Sequence, residues 1–160
     1  MRTASILRKA TFGAVLVAAA IFATLPVRGA DKRIVLIAGR PSHPPGMHEF
    51  RAGSLLLQKA LSGVPGIKVD VYDMGWPGKM VDGARVDDSS LLDGADAVLI
   101  YADGGKGNPA IQGERMKVID ALAARGAGLG FAHYAVDVAP GVPGDAFQRW
   151  LGGITRGTGP

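Results

Sequence analysis

The chain has 160 residues, 48% of them hydrophobic and 20% charged, which is enough for one globular domain and too few for two. It contains no cysteine, which excludes disulfides, a thiol nucleophile, thiolate metal sites and a lipidated N-terminal cysteine. The net charge of +4 comes from the first 30 residues: Arg2, Arg8, Lys9 and Arg28 lie there with no acid, while the rest of the 18 basic residues balance the 14 acidic ones, so nothing points to nucleic acid.

Residues 1–9 are positively charged, and residues 10–25 (ATFGAVLVAAAIFATL) are uncharged and almost wholly apolar. Pro26-Val27-Arg28-Gly29-Ala30 follows, which completes the order of a secretory signal. Cleavage after Gly29 places small residues at both key positions, so residues 1–29 read as a signal peptide and residues 30–160 as the mature domain. The expected location is periplasmic or extracellular, with no membrane association after cleavage. The alternative is an uncleaved anchor, because the apolar run falls just under spanning length.

The mature chain alternates between two periodicities. Residues 33–38 (RIVLIA) predict a buried strand, ended by Gly39 and the prolines 41, 44 and 45. Residues 47–61 predict a helix with a stripe of Phe50, Gly53-Ser54, Leu57 and Leu61, widened by Leu56 and Ala60. Residues 67–72 (IKVDVY) alternate, as a strand near a sheet edge does. Residues 73–90 read as a polar, glycine-rich loop, with a short helical turn at Leu91, Leu92 and Ala95. Residues 96–101 (DAVLIY) predict another buried strand, and residues 110–124 a helix facing inward through Met116, Ile119, Leu122 and Ala123. A strand over 127–132, a short helix over 144–151 and an unstructured tail complete the chain. This order predicts an α/β fold, an open parallel sheet with helices on both faces.

Ligands of open α/β sheets bind beyond the carboxyl ends of the strands. All three histidines follow strands: His43 and His48 the first, His133 the fourth. Asp103 follows the third, and Glu49 adjoins His48. These five groups have acid–base or ligand capacity and are the expected site. Each also has a plainer reading. His48-Glu49 suits a helix N-terminus, His43 a solvated loop, His133 a core position and Asp103 the turn before Gly-Gly. No compact metal-ligand spacing is present, so no metal ligand is assigned, and the sequence leaves cofactors and metal use open. Gly104-Gly105-Lys106-Gly107 lacks the spacing of a phosphate-binding loop. Gly126, Gly128 and Gly130 precede and occupy a strand instead of following it, which is wrong for a dinucleotide fingerprint.

Three segments carry a resemblance: IVLIAGRPSHPPGMHEFRAGSLLL, DGGKGNPAIQGERMKVIDAL and GLGFAHYAVDVAPGVPGDAFQRWLGG. Together they resemble the ThuA-like (trehalose-utilisation) family, in its exported bacterial branch, from Lys32 to Gly153. The resemblance implies a flavodoxin-like three-layer α/β/α fold, like that of class I glutamine amidotransferases. Laying the amidotransferase Gly-x-Cys pattern on Gly130-Phe131-Ala132 puts Ala132 at the nucleophile position. Without cysteine, glutamine hydrolysis by that route is excluded. The branch commonly has histidine where this chain has Asn108, a poorer ligand for a transition metal. Similar proteins also continue past Gly153, so the resemblance implies a truncated sheet.

The function expected from this is binding or processing of a sugar or sugar derivative in carbohydrate utilisation. His133, Asp103 and Glu49 would be catalytic, with His133 the acid–base and a carboxylate its partner. His43, His48, Asn108, Tyr134 and Trp76 would contact the small-molecule carbohydrate, the two aromatics through an apolar face. The alternatives are a non-catalytic binding module and an inactive truncated product. Nucleic acid is not an expected partner, and the sequence leaves the oligomeric state open.

Overall fold

The computed structural model describes residues 31–154. The expected signal peptide and residues 155–160 of the tail lie outside the described residues. The β-branched run after Arg33 forms β1 (Lys32–Ala38), buried from Val35 onward. There follow α1 (Phe50–Leu61), β2 (Ile67–Tyr72), β3 (Gly78–Val81), β4 (Ala84–Asp87) and β5 (Ala97–Tyr101). Next come α2 (Arg115–Ala124), β6 (Gly128–Ala132) and α3 (Val142–Leu151). Single 3-10 turns lie at Ser89–Leu92, Gly105–Gly107, Pro109–Ile111 and His133–Val136.

The fold is α/β, with a four-stranded sheet ordered β2-β1-β5-β6 in which every pairing is parallel. Both faces of β1 must therefore be dry, which explains its unbroken apolar run. On one face Val35, Ile37, Val98 and Ile100 join Ile119 and Leu122 of α2 and Phe147 of α3. On the other, Phe50 of α1 meets Tyr101 edge-on at 5.1 Å. A Cβ on Gly53 would come within 2.6 Å of the Tyr101 ring, so glycine lets the helix approach. From β1 the chain turns through α1 to one side of the sheet, and from β5 through α2 to the other. The reversal opens a crevice between the ends of β1 and β5, the place where such sheets bind ligands.

Asp96 ties the opposite end of the sheet. Its carboxylate accepts hydrogen bonds from Lys32 Nζ and the Arg33 N–H, both at 2.8 Å. Its own N–H donates to the Arg33 carbonyl, and its carbonyl accepts from the Gly128 N–H. One residue thus aligns the starts of β1, β5 and β6.

Several boundaries differ from the sequence expectation. Residues 78–87 form an antiparallel hairpin instead of a loop, closed by Asp82 (φ 49°) and Gly83 (φ 79°). Positive φ at both central residues is the mark of a type I′ turn, which Asp-Gly favours. Residues 47–49 stay outside α1, because His48 adopts φ 51°. The buried stripe of α1 is Phe50 and Ser54, flanked by half-buried Gln58 and Leu61. Leu56 and Leu57 face solvent at 68% and 41% exposure: Leu56 lies on the far side of the helix from that line, and Leu57 at its margin. Residues 110–114 are not part of α2: a 3-10 turn and Gly113 (φ 50°) precede it. α3 starts earlier than expected, at Val142, with Pro143 in its first turn, where proline fits. In the tail, Ile154 packs against the core. No helix among the described residues is long and apolar enough to cross a membrane.

Ile37 is fully buried at the centre of the sheet. We predict that Ile37→Ala lowers unfolding free energy by about 2–5 kcal/mol in urea titration, the usual loss for a truncated core side chain. Hydrogen bonding to Lys32, then to the Arg33 N–H, holds Asp96 below the ordinary carboxylate range. A depressed folded pKa stabilises above the unfolded value of about 3.9 and ceases to do so as pH falls through the folded one. Asp96→Ala is therefore expected to melt earlier than the parent at pH 7. The gap should close as the pH of the melt is taken below that of an ordinary carboxylate.

Candidate functional site

The carboxyl ends of three adjacent strands build the site. β1 runs into a loop (39–49) that Pro41, Pro44 and Pro45 stiffen. A Cβ on Gly39 would stand 2.8 Å from that of Ala102, so glycine lets the β1 exit lie against the β5 exit. The Gly39 N–H also donates to the Tyr101 carbonyl at 2.8 Å. Gly104 allows a second close approach: a Cβ there would strike the Tyr134 carbonyl oxygen and Asp137. The Gly105 N–H donates to the Asp137 carbonyl at 2.7 Å, locking the β5 loop to the β6 loop.

Four of the five expected groups meet over this frame. The rings of His43 and His48 lie 3.8 Å apart and those of His48 and His133 4.5 Å apart, between centroids. His48 Nδ1 lies 3.2 Å from Asp103 Oδ1, with both side chains about three-quarters buried. Phe50 forms the floor, edge-on to His133 at 5.7 Å and itself buried. The opening above holds about 500 Å³ and is lined by His43, His48, Asp103, Tyr134, Asp137 and two glycines.

Of the two candidate carboxylate partners for His133, Asp103 faces His48 and Glu49 turns to its own loop. The Tyr134 N–H donates instead to His133 Nδ1 at 2.7 Å. The neutral His133 ring must then carry its proton on Nε2, which makes it a donor. His48 has the complementary arrangement: Nδ1–H donates to Asp103 and Nε2 is left as the basic atom. The ring that meets the carboxylate is therefore His48, and His133 stands beside it.

The backbone singles out the same residues. Of the three non-glycine residues with positive φ among those described, two are His48 (51°) and His133 (62°); the third, Asp82, serves the hairpin turn. Histidine in this region holds about 1–3 kcal/mol of strain, which clusters at functional sites. The sharp strand-to-turn corner lies at His133, whereas Ala132, with φ −115° and ψ 151°, still belongs to the strand. The nucleophile register laid on Ala132 is thus one residue short of the corner.

Glu49, Asn108 and Trp76 do not join the cluster. Glu49 accepts the Gly46 N–H at 2.7 Å and so braces its own loop. Asn108 is fully buried. Its Nδ2 donates to the Ala135 carbonyl at 2.7 Å and its Oδ1 accepts the Ala110 N–H at 2.9 Å, so it is a strut between the β5 and β6 loops. Trp76 is buried and its indole N–H donates to Ser89 Oγ at 3.1 Å. Tyr134, 57% exposed, remains the aromatic available to a ligand.

Sequence reasoning missed an adjoining cavity of about 420 Å³ that shares Asp103 as a wall. Arg40, Lys106, Arg85 and Arg115 make it cationic, with the edge of Trp76 and Asp87 between them. Arg115 bonds Asp87 through Nε (2.7 Å) and an Nη (2.9 Å), and lies over the Trp76 ring at 5.3 Å. That hydrogen bond is the main reason Asp87 stays below the usual carboxylate range. Arg40 and Lys106 were legible as charges just past strand ends. Arg85 was not, because the unforeseen hairpin carries it there, and Arg115, at the start of α2, meets the cavity where it bonds Asp87 of that hairpin.

No known protein family, curated protein or solved structure matches this chain. The site rests on its own geometry. Because glycine adopts positive φ freely, His133→Gly is expected to keep or raise the thermal midpoint, by up to about 1 kcal/mol of stability. A large destabilisation in calorimetric melts would mean that His133 is there to hold the fold.

Proposed function

We propose that this chain is an exported ThuA-like domain with a flavodoxin-like sheet, and that it binds and processes a sugar or sugar derivative above the ends of β1 and β5. The observation that carries this reading is the His48–Asp103 pair standing at that crevice beside a second histidine with opposite hydrogen-bonding polarity. The strand order β2-β1-β5-β6 supports the flavodoxin-like assignment, in which ligands bind where the order reverses. The apolar run at residues 10–25 supports export.

In this reading His48 Nε2 takes a proton from a sugar hydroxyl while Asp103 stabilises the imidazolium that forms. His133 Nε2–H donates to the neighbouring oxygen, where negative charge builds up. The exposed Tyr134 ring offers an apolar surface to the C–H face of the sugar. Arg40 and Lys106 face the next cavity and donate to further oxygens. Glutamine hydrolysis through a thiol remains excluded, because the chain has no cysteine.

Calorimetry and turnover assays of the full chain with a panel of mono- and disaccharides test the reading. A sugar that binds and is converted is expected, with His48→Ala lowering turnover by at least about 100-fold and Asp103→Asn following it. Binding without conversion would favour a non-catalytic module. If alanine at His43, His48, Asp103 and His133 each left binding and turnover intact, the site would lie elsewhere.

A further inference from the structure

The histidine cluster has a second property that hydrogen bonding to a sugar does not require. His43, His48 and Asp103 each offer a ligand atom, and these three atoms lie within 4.8 Å of one another. Atoms bound to one ion at about 2.1 Å stand about 3.0–3.4 Å apart, by the geometry of tetrahedral and octahedral shells. His48 Nδ1 and Asp103 Oδ1 already have that spacing, at 3.2 Å. His43 is on the exposed loop before α1, where rotation of its side chain closes the remainder.

The surroundings fit a cation. Ser42 Oγ lies 2.9 Å from His43 Nδ1, the kind of outer partner that orients a ligating ring and leaves Nε2 free. The opening carries the carboxylates of Asp103 and Asp137, and no lysine or arginine lines it among the described residues. Two imidazoles and one carboxylate on one side of an open cavity suit a divalent transition ion with vacant positions. Magnesium and calcium prefer oxygen ligands throughout.

We propose that His43, His48 and Asp103 form a binding site for one divalent transition-metal ion of the zinc or nickel class, open toward Tyr134 and Asp137. The open positions hold water or a ligand oxygen. His48 binds as the neutral ring: its proton moves from Nδ1 to Nε2, which leaves Nδ1 free to ligate beside Asp103 Oδ1. The inference does not rest on the sugar reading, since metal binding is measured with no sugar present.

The test is isothermal titration calorimetry of the full chelator-stripped chain with zinc chloride and nickel chloride, with and without excess magnesium chloride. One ion per chain is expected, with no competition from magnesium. His43→Ala and Asp103→Asn should each weaken affinity at least about tenfold. Glu49→Gln, outside the triad, should bind as the parent does. Circular dichroism identifies variants that keep the fold. If Asp103→Asn fails to fold, His43→Ala on its exposed loop decides alone. Absence of saturable binding, or parental affinity in His43→Ala, overturns the proposal.

Discussion

The parallel register of β1, β5 and β6 is the constraint on which the rest depends. Ala38 pairs with Tyr101, and Tyr101 with Ala132, so the three strands end level. The residues after them emerge side by side in space, though far apart in sequence. A one-residue slip in either pairing would turn a strand over and send its side chains to the wrong face. The apolar runs resist such a slip, and Asp96 pins the register from the other end. A clamp at the floor of the sheet thereby sets the position of histidines at its roof.

Glycine does the rest of the positioning. Gly39 and Gly104 are needed because the loops leaving adjacent strands run closer than a Cβ permits. The space saved there lets three loops share one opening. Asn108 completes the frame from beneath, joining two of those loops with no exposed surface of its own. A residue chosen from the sequence as a ligand contact is thus a girder, and the residues that do face the opening hang from it.

Much of this was legible in the sequence, and what was missed has physical reasons. Strand periodicity located β1, β2, β5 and β6 within a residue or so, because β1 and β5 are unbroken apolar runs and β2 alternates as an edge strand does. The rule that ligands gather beyond strand ends found His43, His48, Asp103 and His133. Periodicity is silent on which carboxylate meets which ring, so the partner expected for His133 stayed unnamed, and Asp103 faces His48. The hairpin was passed over because its strands are short and exposed and its glycine was read as loop. Asp82-Gly83 was the available signal. Without the hairpin, Arg85 had no visible route to the cavity it lines, and Arg115 of α2 had no visible partner there. Glu49 and Asn108 were misread because a polar side chain near a site serves the backbone as readily as a ligand.

The left-handed backbone at His48 and His133 also bears on how such a chain would drift. Random substitution at a strained position favours residues that relieve the strain, and glycine or asparagine would do so at both. Histidine bears that strain at both positions, offset at His133 by the hydrogen bond its Nδ1 accepts from the Tyr134 N–H.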